Sequence, residues 1–531
     1  MSAPKWDVPV ELTKAEEKIA GELKRTGKLF GFLRRYRADI IDTELEDELC
    51  AMYRESDAGK EPLPPAMLAM VIVMQAYTGV SDAEAVERAR FDGRWQLVLG
   101  VLGAQERPFS QGALSAFRER MINHDMDRRL LERTVAFARE SKGFDSKKLP
   151  TSLRLAVDSR PLSGAGRVED AVNLLGRAGR QLLMCGALLS DTDPDRLAKR
   201  LKAEVLLASS VKAGLDVDWG DEEQKEDAMR TLLSALDAVE QWVRKRFGDE
   251  AEQPPLSDHL EMVAHLREQN IDPEPPEGGG PRVRDGVPPD RTISLGDPEM
   301  RHGRKSKSKS INGYKAHVTT ALDDNIVLAA AVLPANRPES EGLDAMRCDL
   351  ERVVDLSTIA ELHVDRAYTK AALTIELTRK GTELVSKPRL PGGRPGLFDK
   401  RDFEIDLRAR TATCPAGQTI RFVLDKTAAF DAATCSICDL RAQCTSAAKG
   451  RPRTITVPAD ESQQRRLQRL TSTRTGRARL RQRVEIEHTL SHHARVQGTR
   501  ARYIGQRSNV FDSRRAGALL NLEEASRTLA A

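Results

Sequence analysis

The sequence predicts a mixed α/β protein, in which an all-helical head precedes a sheet whose strands lie far apart in the chain. Three observations carry this. Short apolar runs at 153–157 and 362–364 each end on an aspartate, Asp158 and Asp365. Two further apolar runs, 314–321 and 326–333, flank Asp323, Asp324 and Asn325, the residue types of a hairpin turn. Between these strands run long segments with apolar residues at helical spacing.

The elements follow in order. Residues 1–60 read as helices with a mixed surface. Pro62, Pro64 and Pro65 then break the chain, and an apolar helix follows from Met67 to about Tyr77, with Gly79 placed to end it. Ser81 and Glu84 match a capping box for the next helix. Helices at 94–99 and 112–121 complete a unit of short helices and tight turns, the style of a helix-turn-helix. After the strand at 153–157, helical spacing returns at 168–189, 196–208 and 222–246. The Pro- and Gly-rich stretch 272–289 reads as a linker or exposed loop. Residues 383–386 read as a further strand. Residues 390–460 read as irregular and hold a group of cysteines, and one long arginine-rich helix is expected over 462–494. A last helix is expected over 514–529.

A chain of 531 residues is long enough for two to four domains. The net charge of +4 says little by itself, but its distribution does. Residues 465–515 carry fourteen arginines against three acids, and residues 301–309 carry five arginines and lysines and no acid. Two such stretches on a nearly neutral chain point to a polyanion held at defined places. Residues 1–6 lack the basic tip and apolar core of a leader, and no apolar run approaches the ~20 residues of a membrane span. The expectation is a cytosolic protein without a membrane partner.

The two aspartates carry the chemistry. Strand ends hold side chains on a rigid rim, and carboxylate oxygens are the hard ligands that magnesium takes alongside phosphate oxygens. A third carboxylate on a helix packed across the rim would complete a two-metal site, able to activate a water or a 3′-hydroxyl for in-line displacement. No phosphate-binding loop of the GxxxxGK[ST] type is present.

The segments DSRPLSGAG, DPEMRHGRKSKSKSINGYKAHV, VDRAYT and RVEIEHTL…ARYIG, in this order, resemble insertion-sequence transposases of the DDE class. The resemblance spans roughly residues 60–520. It implies an RNase H-like catalytic domain over 150–390 and 462–520, with a helical insertion at 165–270 and a four-cysteine insertion at 400–450. It also implies a helical DNA-binding domain over 1–125. Asp158 and Asp365 match the first two acids, the second followed by Arg366 and Tyr368. For the third acid, Glu485 and Glu487 compete. The family places an arginine four residues before the glutamate, as Arg483 stands to Glu487, and that spacing shares one helix face. Glu485 lies about 200° round the helix. The expected set is therefore Asp158, Asp365 and Glu487 on Mg2+ or Mn2+, with Arg483 at a DNA phosphate. The lysine that the pattern carries two turns later is missing, and Arg495 or His493 is the nearest substitute. The implied partners are double-stranded DNA, as element end and target, and a second copy of the chain. Alternatives on the same reading are a nuclease that cuts without joining and a non-catalytic DNA-binding descendant.

Arg304, Lys305, Lys307 and Lys309, with serines between them, suit phosphate oxygens, as do Arg500 and Arg502. His302 reads as a DNA or surface contact, and Arg118 and Arg120 on the head as DNA contacts or exposed helix charges. Cys414, Cys435, Cys438 and Cys444 are spaced C-x20-C-x2-C-x5-C, which suits a structural zinc site, an iron–sulfur cluster or free thiols. Cys50, Cys185 and Cys348 read as packed apolar residues. His488 and His492, four residues apart without the HExxH pattern, read as helix-surface or DNA-facing groups.

Overall fold

The computed structural model describes residues 3–24, 27–54, 61–143, 152–273, 280–286, 288–305, 308–389, 394–448 and 450–529. Lys307 and much of the Pro/Gly stretch after residue 272 lie outside the described residues.

The head is helical up to Ser141. Its most apolar helix, Pro65–Thr78, opens with a proline in the first turn, where no amide is needed, and ends on Gly79 in the left-handed region. Ser81 caps the next helix by accepting from the Glu84 amide. Twelve of the fourteen residues of Pro65–Thr78 are buried, so it is the central rod of the head. Among the described residues no single helix is long and apolar enough to cross a membrane.

The main sheet has six strands: β1 Leu153–Ser163, β2 Arg301–Arg304, β3 Ser310–Ala321, β4 Val327–Pro334, β5 Ile359–Val364 and β6 Glu383–Val385. The order is β2-β3-β1-β5-β6, with β4 also on β3. β3 is antiparallel to β1, β2 and β4, while β1, β5 and β6 run parallel, so the sheet is mixed as expected. The β3–β4 hairpin turns through Asn325 in the left-handed region. The helices Met126–Ser141 and Gln506–Leu529 pack on each other and on β4. Head and sheet share one hydrophobic core, in which Trp95 and Phe117 of the head belong to the same cluster as Val157 and Val364 of the sheet. A buried ionic knot reinforces the seam: Arg514 holds Asp127 at 3.0 Å and Asp349 at 2.7 Å, and Arg128 reaches Asp349 at 2.9 Å.

Between β1 and β2 the chain builds a helical bundle, chiefly Ala171–Leu189, Glu222–Phe247 and Leu256–Asn270, with its own core around Leu182, Leu236 and Val263. Its entrance and exit meet where the Glu169 amide donates to the Ile293 carbonyl at 3.0 Å.

The cysteine segment, expected to be irregular, is ordered. Strands β7 Glu404–Asp406, β8 Thr411–Thr413 and β9 Thr419–Arg421 form a small sheet, and β10 Thr427–Ala429 pairs with β11 Thr454–Thr456. These three-residue strands are too short for a legible alternation, and Phe403, Phe422 and Phe430 anchor them. The long helix expected over 462–494 is three: Glu461–Ser472, Arg474–Gln482 and Val484–Gln497. Thr473 makes the first break, because its hydroxyl accepts from the Gly476 amide and starts a new helix.

Candidate active site

β1 and β5 run parallel with Val157 opposite Val364. Asp158 and Asp365 are the next residues on each side, so they stand next to each other on backbones about 4.8 Å apart. Asp158 is not at a strand end as the sequence suggests. β1 continues to Ser163 because β3 keeps pairing with it, and Asp158 lies mid-strand opposite Val318. Asp365 does follow the end of β5, at the start of the turn Arg366–Lys370.

The third acid arrives from Val484–Gln497. Ile486 and Leu490 are buried in the main core and fix which flank of this helix faces the sheet. Arg483 precedes the helix and Glu487 sits one turn on. The Arg483 guanidinium donates to Asp365 Oδ1 at 2.6 Å. Its Nη2 lies 3.5 Å from Asp158 Oδ2 and 4.0 Å from Glu487 Oε1. Two oxygens that close to one nitrogen fall within the roughly 8 Å over which a pair of ions could link them. Glu485 is on the other side, in a cavity of about 180 Å3 shared with His488, His492 and Glu523.

The acids are graded in depth. The Asp158 side chain is 15% exposed, Asp365 48% and Glu487 61%. Burial pushes the Asp158 carboxyl above the usual carboxylate range; the Ser159 amide and Arg483 pull it back, Asp365 adds to the rise, and Lys305 opposes it. Arg483 is itself half-buried; its bond to Asp365 and the charges of Asp158 and Glu487 outweigh that burial and hold it protonated.

Carboxylate oxygens, three of which meet here, are the hard donors that a magnesium-type ion takes. Among the described residues no three His, Cys, Asp or Glu side chains stand close enough together to hold a metal ion. At the acids the reason is visible, since the Arg483 guanidinium fills the space between them.

The basic residues divide. Arg304 and Lys305 are exposed on the edge strand β2 and just after it, and Lys309 is exposed on the return. His302 is exposed, with Nδ1 2.6 Å from Asn312 Oδ1. Others are engaged by the protein. Arg495 pairs with Glu523 at 2.9 Å, Arg500 donates to the Ala165 carbonyl, and Arg502 donates to the carbonyls of Gly79 and Val80. His493 is fully buried against the Ser513 carbonyl and held neutral, which removes it as a substitute for the missing lysine. Arg118 is buried, paired with Asp82 and stacked on Tyr503, so it is neither a DNA contact nor an exposed charge. Arg120 lies over Tyr53. The bundle at 165–270 carries twenty-one acids against fourteen lysines and arginines, the wrong sign for a DNA face.

Cys414, Cys435, Cys438 and Cys444 line one cavity of about 50 Å3, half-buried and not disulfide-bonded. Cys185 is half-buried and packs against the core of the helical bundle, as its helical spacing suggests, whereas Cys348 is exposed and Cys50 is half-buried.

Some contacts near the site had no signal in the sequence. Tyr314 donates to Asp297 at 2.5 Å, and His317 Nδ1 lies 2.7 Å from the Tyr368 phenol. All four fall in segments that carry the resemblance, yet nothing in one sequence pairs them.

The comparisons agree with this layout. Residues 413–524 match a family model described as a transposase DDE domain, which includes Arg483 and Glu487. Residues 24–120 match one described as a transposase domain (DUF772), which covers most of the head. No curated protein and no solved structure matches the chain. With one transposase model on its head and the other on the segment that bears Arg483 and Glu487, the matches support an insertion-sequence transposase of the DDE class.

Proposed function

We propose that the protein cuts DNA at the ends of a mobile element and joins the freed ends to target DNA, using Asp158, Asp365 and Glu487 on an RNase H-like sheet. The observation that carries this is the meeting of three acids, from positions more than 100 residues apart, at the one guanidinium of Arg483.

Asp158 and Asp365, fixed by neighbouring strands, and Glu487, fixed by its helix, would hold two divalent cations, which when bound supply Lewis acidity to the attacking and leaving oxygens. Arg483 neutralises the acids and reaches the same space as an incoming phosphate, and its planar fork suits phosphate oxygens. Arg304 and Lys305 hold the DNA backbone beside Asp158 without reading sequence. In the first step water attacks the phosphorus at the element end and the 3′-oxygen leaves, taking up a proton. In the second, that 3′-hydroxyl attacks a target phosphorus, loses its proton and displaces the target's own 3′-oxygen. The head, through residues 24–120, recognises the element ends, and two copies act together because two ends are joined.

The test is cleavage and joining of a duplex carrying the element end, in Mg2+. Asp158→Ala, Asp365→Ala and Glu487→Ala should each abolish cleavage and leave DNA binding intact. Near wild-type cleavage by any of them removes that residue from the site. Cutting without joined product makes the protein a nuclease, and tight binding without cutting makes it a DNA-binding descendant.

A further inference from the structure

Side chains of successive strand residues point to opposite faces, so Ser159 lies on the reverse of the sheet from Asp158. Its direct partner across the β1–β3 ladder is His317, and directly opposite residues share a face. The third side chain on that reverse face is Tyr368, from the turn that begins at Asp365. Its phenol meets His317 Nδ1 at 2.7 Å, and the rings stand edge to face at 5.9 Å.

This contact links β3 to the turn after β5, passing behind β1. It therefore ties the backbone of Asp365 to the strand pair that carries Asp158. Other bonds also hold the turn, from the Tyr368 amide to the Asp365 carbonyl, the Ala371 amide and the Thr374 hydroxyl to the Tyr368 carbonyl, the Thr369 hydroxyl to the Arg366 carbonyl, and Arg483 to the Asp365 carboxylate, but of these contacts the phenol's is the one that reaches β3. The pocket is shaped around the imidazole. Gly342 has an ordinary φ, yet a Cβ there would lie 2.2 Å from His317 Nδ1. His317 is wholly buried, its Nε2 has no partner among the described residues, and burial lowers its pKa to about 3, so it is neutral at any working pH. A neutral imidazole buried behind the acids, touching no substrate face, is not suited to proton transfer. It is suited to holding a phenol in one place.

We propose that Tyr368 and His317 form a latch on the reverse face of the sheet that sets the spacing of Asp158 and Asp365, and so act as positioning residues for divalent-cation binding. The inference rests on the metal-dependent reading above. It also gives GYKAHV and VDRAYT, two motifs far apart in the chain, one shared physical role.

The experiment is Mn2+ binding to the full chain without DNA, followed by electron paramagnetic resonance, beside melting temperature and DNA affinity in chelator. Tyr368→Phe removes one oxygen and keeps the shape. It should raise the Mn2+ half-saturation by about tenfold, the usual scale for partners that orient metal ligands, with melting and DNA affinity close to wild type. His317→Asn, which keeps an acceptor near Nδ1, should recover most of the binding that His317→Leu loses. A wild-type half-saturation in Tyr368→Phe overturns the latch, as does equal binding by the Asn and Leu variants. If the wild-type chain binds no Mn2+ and Asp158→Ala cuts as well as wild type, the catalytic reading itself falls. If wild type binds and cuts normally and only the latch variants are silent, the latch alone fails.

Discussion

Two arginine-rich regions look alike in the sequence and differ in the fold. Around β2, Arg304 and Lys305 are open to solvent beside the deepest acid. Beyond Glu487 the arginines are taken up by partners within the protein, whether exposed, as Arg495 and Arg502 are, or buried, as Arg514 is. Arg495, Arg502, Arg507 and Arg514 are held by Glu523, by helix-end carbonyls and by the buried Asp127 and Asp349. Charge density along a chain therefore measures two things at once. Near the edge strand it is charge offered to a polyanion. In the last helix it is charge that joins the head to the sheet.

The largest effect should come from breaking the buried part of the paired set. Arg514→Met leaves Asp127 and Asp349 buried with less compensation, and loss of one partner of a buried pair costs about 3–5 kcal/mol. Chemical denaturation should show that loss, and unchanged stability would place the seam's strength in the apolar core alone. Next, Arg304→Ala with Lys305→Ala should leave melting unchanged and weaken DNA binding. The slope of log affinity against log salt should shrink by roughly one to two units. An unchanged slope would mean that the open set does not meet phosphate. Arg502→Ala should cost about 1 kcal/mol by uncapping the carbonyls of Gly79 and Val80, with DNA affinity kept. A reversed pattern, stable but weakly bound, would return Arg502 to the DNA face.

The smallest effect concerns the acid that the open set serves. Burial raises the Asp158 pKa in the fold, so the fold favours the protonated form. The stability that this gives is complete below the ordinary aspartate value near 3.9 and is lost as pH rises through the higher folded value. Asp158→Asn cannot ionise. It should melt on the order of 2 °C above wild type at pH 7, with the gap closing towards pH 3. A variant that melts lower at pH 7 would show that the Asp158–Arg483 attraction outweighs the burial.

Much of this was legible in the sequence. The strands bearing Asp158 and Asp365 and the β3–β4 hairpin with Asn325 follow from periodicity and turn chemistry, which are local. The choice of Glu487 over Glu485 comes from the resemblance, which places an arginine four residues before the glutamate. What was not legible depends on partners distant in sequence. The extension of β1 past Asp158 needs β3 beside it. The break at Thr473 is the exception, a local one: the run Thr471-Ser472-Thr473 before Gly476 carries the capping signal, and the arginine-rich flanks hid it. The partners of Arg502 and Arg514 are carbonyls and acids hundreds of positions away. The three-residue strands around the cysteines are simply too short to show a period.

The bundle between β1 and β2 has one more consequence, for the order of assembly. Asp158 and its ladder partners on β3 are separated by well over a hundred residues, and long-range pairing is slow because the loop must close first. The bundle has its own core, and its two ends are clasped by the Glu169–Ile293 bond. Once folded, it shortens the tether that β1 must search across to find β3. Pulsed hydrogen exchange during refolding should then show amides of Ala171–Leu189 protected before those of β1, so that the segment of the chain that brings no acid to the site is the one that sets when the site can form.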